Sequence, residues 1–163
     1  MSELPATIRR AALPDAPELG ALQVRLALQH QDYDAQRFFV FGAKEATFTD
    51  YFVEQLQRDN VAILVAEIEG KIVGFVFTRI EPAFLEGLMD TSGWIHDIFL
   101  DESARGHGLG KALLQAAIQA LRELGAPIIM LAVSPKNETA RRLFEEQGFR
   151  LTMLEMSLNP DSP

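Results

Sequence analysis

The sequence predicts a mixed α/β fold in a single domain covering residues 1–163. Two apolar runs at 61–68 and 71–80 are separated by Glu69-Gly70, the pattern of a β-hairpin. Residues 109–124 have the apolar spacing of an amphipathic helix. Residues 128–133 form a short apolar run typical of a buried strand. A chain of this length can enclose one hydrophobic core.

The N-terminal part is predicted to contain one strand and two helices before the hairpin. A short strand is expected at 7–11, and Pro14-Asp15 opens a helix with an apolar stripe at Leu19, Leu22 and Leu26. A second helix is expected at 47–58. Between the two helices, residues 31–42 carry charged and aromatic side chains without a period.

After the hairpin, a loop at 82–93 leads to a strand at 94–100 and then to the 109–124 helix, which Gly125 and Pro127 end. A last helix begins at Asn137 and ends at Gly148. A last strand is expected at 150–158, although its apolar phase slips at Leu154. The predicted order is β-α-α-β-β-β-α-β-α-β.

Composition narrows the function classes. The formal net charge of −8 argues against a nucleic-acid surface and would favour a cationic substrate. No apolar run is long enough to cross a membrane, and residues 1–10 lack the apolar core of a secretory signal. The absence of cysteine excludes disulfides and thiolate sites and fits a cytoplasmic protein. No metal site is expected.

The most informative segment is Arg105-Gly106-His107-Gly108-Leu109-Gly110-Lys111, here called the glycine loop (residues 105–111). It lies between the predicted 94–100 strand and the 109–124 helix. Glycines at such a junction let backbone N–H groups approach an anion at the helix N-terminus. Arg105 adds a guanidinium suited to phosphate oxygens. The sequence therefore predicts a phosphate-bearing cofactor.

The spacing of the glycine loop excludes two common nucleotide-binding motifs. A Walker loop, Gly-x-x-x-x-Gly-Lys-Ser/Thr, needs a glycine six residues before its lysine and Ser or Thr after it. Here Arg105 stands six residues before Lys111 and Ala112 stands after it, so the Walker motif does not match. The dinucleotide motif Gly-x-Gly-x-x-Gly is one residue longer than this arrangement and belongs to the first strand of its unit.

The loop resembles the pyrophosphate loop of the GNAT N-acetyltransferase family, Arg/Gln-x-x-Gly-x-Gly/Ala. Arg105, Gly108 and Gly110 match its three defining positions. The family's second signature, an Asn followed by a helix with a Gly-Phe ending, is matched by residues Asn137, Ala140, Leu143, Gly148 and Phe149. The resemblance extends from about Ile8 to Leu158, nearly the whole chain.

This resemblance implies a mixed sheet that splays open between its fourth and fifth strands, with about four flanking helices and with acetyl-CoA bound in the splay. Backbone groups of Phe99 and Leu100 would pair with the pantetheine arm, and Asn137 would hydrogen-bond it from the other side. The pyrophosphate would lie on the glycine loop, whose members are Arg105, Gly106, His107, Gly108, Leu109, Gly110 and Lys111.

Three residues are predicted to carry the proton chemistry of acetyl transfer. His96 is the first choice for a general base, because histidine titrates near neutral pH and the resemblance places this strand along the active site. Asp97 would point to the opposite face of a regular strand, but a β-bulge would exchange the roles of the two. Glu81, at the end of the preceding strand, would act through water.

One position departs from the family pattern. Phe144 stands where the family usually has Tyr, which is thought to protonate the departing thiolate. The alternative to an active N-acetyltransferase is therefore a CoA-binding sensor or interaction module without catalysis. Water would otherwise have to protonate the thiolate.

The acceptor is expected to be a primary amine, either a small molecule, an amino acid or a peptide N-terminus. The region between the first two helices supplies carboxylates and an aromatic, Asp32, Asp34 and Phe38, which suit a cationic amine. A solvated loop with buried phenylalanines explains the same residues equally well. A homodimer is also expected, in which a partner completes the sheet edge beside the last strand.

Overall fold

The computed structural model describes residues 6–38 and 44–161. The helices and strands follow one another in the predicted order up to the last helix. The strands are β1 Ala6–Arg10, β2 Val61–Ile68, β3 Lys71–Glu81, β4 Ser92–Leu100 and β5 Ile129–Leu131, and the helices are α1 Ala16–Tyr33, α2 Glu45–Gln55, α3 Leu109–Glu123 and α4 Glu138–Glu146. Short 3-10 turns precede α1 (Leu13–Asp15) and follow β4 (Glu102–Ala104).

The five strands form one mixed sheet in the order β1-β2-β3-β4-β5. The first four are antiparallel neighbours, whereas β5 runs parallel to β4. The β2–β3 turn is the predicted hairpin at Glu69 and Gly70, whose φ angles are +49° and +78°. Two consecutive positive φ angles match the right-handed twist of the strands they join.

The predicted splay lies between β4 and β5. The two strands pair only over three residues, Gly93–Ile95 against Ile129–Leu131. From His96 onward, β4 has no partner on its β5 side among the described residues. The open side of β4 therefore leads from His96 to the glycine loop.

Helices cover both faces of the sheet and enclose two apolar clusters. Leu113, Leu114 and Leu121 of α3 pack with Phe144 of α4 against one face. The other cluster joins the α1 stripe Leu19, Leu22 and Leu26 to Phe52 of α2 and to Phe75, Phe77 and Phe99 of the sheet. Because both faces are covered, β2 is buried along residues 61–66 and does not show the alternation of a half-exposed strand.

The predicted last strand is wrong for the single chain. Residues 150–158, here called the C-terminal segment, form no ladder with the described strands, and their large apolar side chains are exposed. A strand requires a partner edge for its N–H and C=O groups, and this segment has not found one. None of the helices that the structure describes is both long and apolar enough to cross a membrane.

Candidate active site

At two positions of the glycine loop, the backbone has a left-handed conformation that only glycine adopts without strain. Gly106 and Gly108 both have a φ of +80°, and the space around each is open. The chain just before the loop is anchored to α1, because the Asp101 carboxylate accepts a 2.6 Å hydrogen bond from Arg25. This bond lowers the pKa of Asp101, so the carboxylate is charged at neutral pH.

The last three residues of the glycine loop form the first turn of α3, and their N–H groups are not used by the helix. The first hydrogen bond within the helix runs from the Ala112 N–H to the Gly108 carbonyl (3.0 Å). The N–H groups of residues 109–111 therefore have no acceptor within the helix and remain available to an anion. The Leu109 side chain is buried in the core, so this residue can contribute only its backbone.

The charged loop side chains lie at the surface. Arg105, His107 and Lys111 are exposed. The Arg105 Nε donates a 3.0 Å hydrogen bond to the Leu100 carbonyl, which belongs to the open side of β4. Gly110 faces α4, where an added Cβ would lie 3.7 Å from Leu143.

The register of β3 and β4 shows which backbone groups face the splay. The Asp101 N–H donates to the Val73 carbonyl (2.7 Å), and hydrogen-bonded pairs recur every second residue of an antiparallel ladder. Phe99 therefore pairs with Phe75 and turns its N–H and C=O toward β3. The backbone groups of Ile98 and Leu100 therefore face the open side, whereas those of Phe99, which the resemblance also named, face β3.

Asn137 and Phe144 belong to α4. Asn137 precedes the helix, and its Oδ1 accepts a hydrogen bond from the Ala140 N–H (3.2 Å), so its Nδ2 is the group left to donate to a ligand. Phe144 is buried and packs edge-on against Phe149 at 6.1 Å between ring centroids. Phe144 thus has a core role, and it cannot supply a proton.

A β-bulge places His96 and Asp97 on the same side of the sheet. Asp97 pairs with Phe77 and Ile95 pairs with Thr78, so His96 is the extra residue on β4. The alternation of a regular strand, which would direct Asp97 away from His96, does not hold here. Both side chains line one cleft beside α1.

His96 is held by a carboxylate on the neighbouring strand. Its Nε2 lies 2.6 Å from the Glu81 Oε1, and the Arg79 guanidinium contacts the same oxygen at 2.6 Å. The imidazole is also stacked on Trp94 and lies against Phe77. A carboxylate at Nε2 favours the tautomer that carries its proton there, which leaves Nδ1 as the acceptor.

Asp97 lies deeper than His96. Burial raises the pKa of Asp97, although His96 and a hydrogen bond from Gln23 of α1 partly offset this effect. The Gln23 Oε1 is buried without a hydrogen-bond partner in the described part of the chain. A buried amide oxygen without a donor is costly, so a ligand N–H, a water or protonated Asp97 would satisfy it.

The splay cleft, as we call the cavity that contains these residues, has a volume of about 570 Å³. One wall is the inner side of α1, with Gln23, His30 and Tyr33, and another is β4, with His96 and Asp97. Residues 132–136 after β5 form a third wall, and residues 151, 153–155 and 157 of the C-terminal segment form the fourth.

The predicted acceptor residues are only partly brought together. Asp34 and Phe38 line the splay cleft. The Asp34 Oδ1 accepts hydrogen bonds from the N–H groups of Gln36 and Arg37, and Phe38 packs on His30. Asp32 is exposed and does not line the cleft, because the end of α1 turns it outward. Phe39, which belongs to the same predicted region, lies outside the described residues.

Sequence reasoning missed two groups of cleft residues. Gln23, His30 and Tyr33 lie on the inner stripe of α1, where polar side chains interrupt an otherwise apolar spacing, and that interruption was the available signal. Arg37 and Glu155 pair across the cleft although they are far apart in the chain. No local sequence pattern predicts a contact between residues so far apart in the chain.

The described residues contain no group of three His, Asp or Glu side chains that could hold a metal ion. The site brings together backbone amides, the His96–Glu81 pair and the Asp97–Gln23 pair.

Comparison with known proteins agrees with this architecture. Residues 28–149 match the acetyltransferase (GNAT) family. A mycothiol acetyltransferase of Thermobispora bispora is 37% identical over 147 residues, which cover 82% of this chain and 48% of that protein. An N-alpha-acetyltransferase of Sulfurisphaera tokodaii is 36% identical over 105 residues, which cover 61% of this chain and 63% of that protein. The chain thus spans about half the length of the curated relatives it matches.

A solved structure supports the same conclusion for the fold. The tetramutant of the BH1408 protein from Bacillus halodurans superposes with a TM-score of 0.79 at 25% identity, covering 94% of this chain and 99% of that one. The predicted mixed α/β fold is confirmed. The chain belongs to the acetyltransferase (GNAT) family, whose enzymes use acetyl-CoA as the acetyl donor.

Proposed function

We propose that this protein is an N-acetyltransferase that moves the acetyl group of acetyl-CoA directly to a primary amine in a ternary complex. The observation that carries the proposal is the position of the His96–Glu81 pair. His96 lies on β4 where this strand loses its β5 partner, at one end of the open side that leads to the glycine loop, and Glu81 reaches it from the end of β3. A cofactor lying along this open side would have its phosphates and its thioester at opposite ends.

Binding of CoA uses mainly backbone groups. The pyrophosphate lies on the N–H groups at the start of α3, and the pantetheine arm pairs with the open side of β4 at Ile98 and Leu100. Since Arg105 already donates to the Leu100 carbonyl, its guanidinium turns from this carbonyl to the phosphates when CoA binds. Asn137 donates through Nδ2 from the opposite side of the splay.

Deprotonation of the acceptor is the step that needs a base. An alkyl amine with a pKa of about 10.4 is a free base in only about one molecule in 2,500 at pH 7. His96 accepts the amine proton, and Glu81 orients the imidazole. Asp97, whose pKa burial raises, is the alternative base and otherwise anchors the ammonium together with the Gln23 Oε1.

The amine nitrogen then attacks the thioester carbonyl, the C–N bond forms and the C–S bond breaks. The CoA thiolate leaves and takes up a proton. Phe144 cannot donate it, whereas Tyr33, which lines the splay cleft and whose hydroxyl accepts a hydrogen bond from Gln29, is a candidate for this role together with water.

The acceptor is a small primary amine or amino acid, and a peptide N-terminus is the second choice. A cleft of about 570 Å³ is in the range of small-molecule sites. One relative named above is called an N-alpha-acetyltransferase, and this name supports an amine acceptor without choosing among these classes.

Phe144 favours one alternative, a CoA-binding module without catalysis. Release of the CoA thiol from acetyl-CoA, measured against a panel of small amines, amino acids and short peptides, separates the two. The proposal predicts amine-dependent thiol release with an acetylated product detected by mass spectrometry. Tight CoA binding without turnover on any amine would support the alternative.

A further inference from the structure

The Glu81 oxygen that contacts His96 also contacts a guanidinium. Arg79 reaches the Glu81 Oε1 with both its Nε and its Nη2, at 2.6 Å each. The His96 Nε2 lies at the same distance from the same oxygen. Glu81 therefore joins a permanently charged guanidinium to a titratable imidazole. Orientation of His96 by Glu81 alone does not explain why the guanidinium is there.

The other side of Arg79 is held by a buried amide of α2. Its Nη1 donates a 3.0 Å hydrogen bond to the Gln55 Oε1, and Gln55 is only 2% exposed. The guanidinium also lies over the Phe77 ring, with its carbon 5.7 Å from the ring centroid. Burial of a polar side chain is costly unless it is hydrogen-bonded. The contact with Arg79 satisfies the Gln55 oxygen and fixes the guanidinium beside Glu81.

The imidazole is held against the same aromatic surface. The His96 ring lies 5.2 Å from the Phe77 ring and 6.1 Å from the Trp94 ring, between centroids. Phe77 thus contacts both the guanidinium and the imidazole. Because each is 2.6 Å from one oxygen, their nearest nitrogen atoms are no more than about 5 Å apart, where unit charges interact strongly.

Two charges therefore act on His96 in opposite directions. The Glu81 carboxylate stabilises the protonated imidazole, and the Arg79 guanidinium destabilises it. The three side chains are between 22% and 28% exposed, so solvent screens these interactions only in part. A base must be neutral before it can accept a proton. Without the guanidinium, Glu81 would keep His96 protonated, and thus unable to act as the base, up to a higher pH.

We propose that Arg79 is a positioning residue for the base: it holds the Glu81 oxygen against His96 and, through its charge, keeps the imidazole in the neutral form that accepts a proton. This inference rests on the proposed role of His96 in acetyl transfer. Gln55 extends the assembly to α2, so one hydrogen-bonded chain connects the interior of the domain to the base.

Other titratable groups on this side of the sheet come from three elements. In the part of the chain that the structure describes, they are Asp97 of β4, His30 of α1 and Tyr51 of α2. Burial raises the pKa of Asp97 and that of Tyr51, so Tyr51 is neutral near pH 7. None of the three is changed in a variant of Arg79. A difference between wild type and variant therefore reports on the guanidinium.

A nuclear magnetic resonance titration of the histidine side chains tests the charge effect without any turnover. The chain has three histidines, and the His96 signal is the one that His96→Ala removes. Arg79→Met keeps an unbranched stem and loses the charge. In this variant His96 should keep its proton to a pH about one unit higher than in the wild type. An unchanged titration of His96 would overturn the proposal.

Two further variants separate the charge from the loss of contacts. Arg79→Lys keeps the charge but has no planar fork, so His96 should titrate close to the wild-type pH. Arg9→Met is the matched control, because Arg9 is also a strand arginine and contacts two carboxylates, those of Asp15 and Glu67. It should leave the titration of His96 unchanged. A shift in either variant as large as that in Arg79→Met would overturn the proposal.

A double variant guards against a loss of folding. Arg79→Met leaves the buried Gln55 oxygen without its donor, which is destabilising. Arg79→Met combined with Gln55→Leu removes both polar partners, and such a change is nearly neutral. Circular dichroism checks the fold of each variant. The same shift of the His96 titration is expected in the double variant, and its absence there would contradict the charge effect.

Kinetics distinguish this inference from the proposed function. Arg79→Met should lower kcat/KM about ten-fold on the acid limb of the pH profile and much less at high pH, where His96 is neutral in both proteins. A loss of equal size at every pH would overturn the proposal. If the wild type acetylated no amine, the proposed function would fail, whereas the titration would still decide whether Arg79 acts on His96.

Discussion

The glycine loop holds its conformation through backbone angles, whereas the splay cleft is walled by side chains from four separate parts of the chain. In the loop, two residues at φ +80° and a helix N-terminus lie within seven consecutive residues, so the proposed anion site is local. In the cleft, α1, β4, the residues after β5 and the C-terminal segment must all be in place. A site made of backbone tolerates changes of surrounding side chains, and a site made of side chains does not.

The largest effect that this comparison predicts is on the loop. Gly108→Asp introduces a carboxylate next to the CoA pyrophosphate, and repulsion between unit charges about 4 Å apart costs about 4 kcal/mol at an effective dielectric constant near 20, or roughly 1,000-fold in affinity. Titration calorimetry with CoA measures the loss.

Gly70→Asp is the matched control for this change. Gly70, in the β2–β3 turn, has a φ of +78° and open space around it, so the variant has the same backbone strain far from the loop. It should bind CoA like the wild type. Equal losses in both variants would mean that strain, rather than the phosphate site, explains the result.

The second effect concerns the base. His96→Ala should lower kcat about 100-fold near neutral pH, and the deficit should shrink as the pH approaches the amine pKa, because free amine then becomes abundant. Initial rates between about pH 6 and pH 9 measure it. Lys71→Ala, at an exposed residue of β3 that does not line the splay cleft, should leave kcat unchanged. A pH profile that His96→Ala does not alter would transfer the role to Asp97.

A smaller effect is expected from the partner of this base. Glu81→Gln keeps an acceptor for the imidazole but removes the charge that stabilises the imidazolium, so kcat should fall roughly ten-fold. Glu67→Gln is the control, because Glu67 is also a strand glutamate paired with an arginine and its side chain is equally exposed, 24% against 25%. A fall of the same size in both variants would assign the effect to lost ion pairs.

The smallest predicted effect is a pH dependence of stability. Burial raises the pKa of Asp97, so this group stabilises the folded state below the ordinary carboxyl pKa, and the contribution is lost as the pH rises through the raised pKa. Asp97→Asn cannot ionise. It should therefore match the wild type near pH 4 and exceed its stability near pH 8, as urea unfolding at the two pH values would show.

Asp15 provides a control of opposite sign. The hydrogen bonds from Arg9 lower the pKa of Asp15, so its contribution is present above the ordinary carboxyl pKa and is lost as the pH falls through the lowered pKa. Asp15→Asn should therefore be less stable than the wild type near pH 8, and the difference should shrink in acid. If the stability of both variants relative to the wild type changed with pH in the same direction, the conclusion that burial raises the pKa of Asp97 would be contradicted.

The same contrast explains what could be predicted from the sequence. The hairpin at Glu69-Gly70, the α3 helix and the glycine loop depend on local geometry, namely positive φ angles and the 3.6-residue period, and each was predicted at its place. The side on which Asp97 lies depends on one extra residue in the β3–β4 register, so it could be foreseen only as an alternative.

Features that depend on distant parts of the chain were not predictable. Nothing in the local sequence indicates that Phe99 turns its backbone to β3, or that Glu155 reaches Arg37. The C-terminal segment was predicted as a strand because its residues favour one. Whether it becomes a strand depends on a partner edge, which residue preferences do not encode.

The central claim is that the cofactor site and the proton chemistry are separable. Measuring the CoA dissociation constant and the acetyl-transfer rate on the same His96→Ala preparation tests it most directly. For His96→Ala we expect a CoA dissociation constant within about twofold of the wild-type value together with a kcat about 100-fold lower. A parallel loss of CoA affinity would contradict it, because His96 would then belong to the cofactor site.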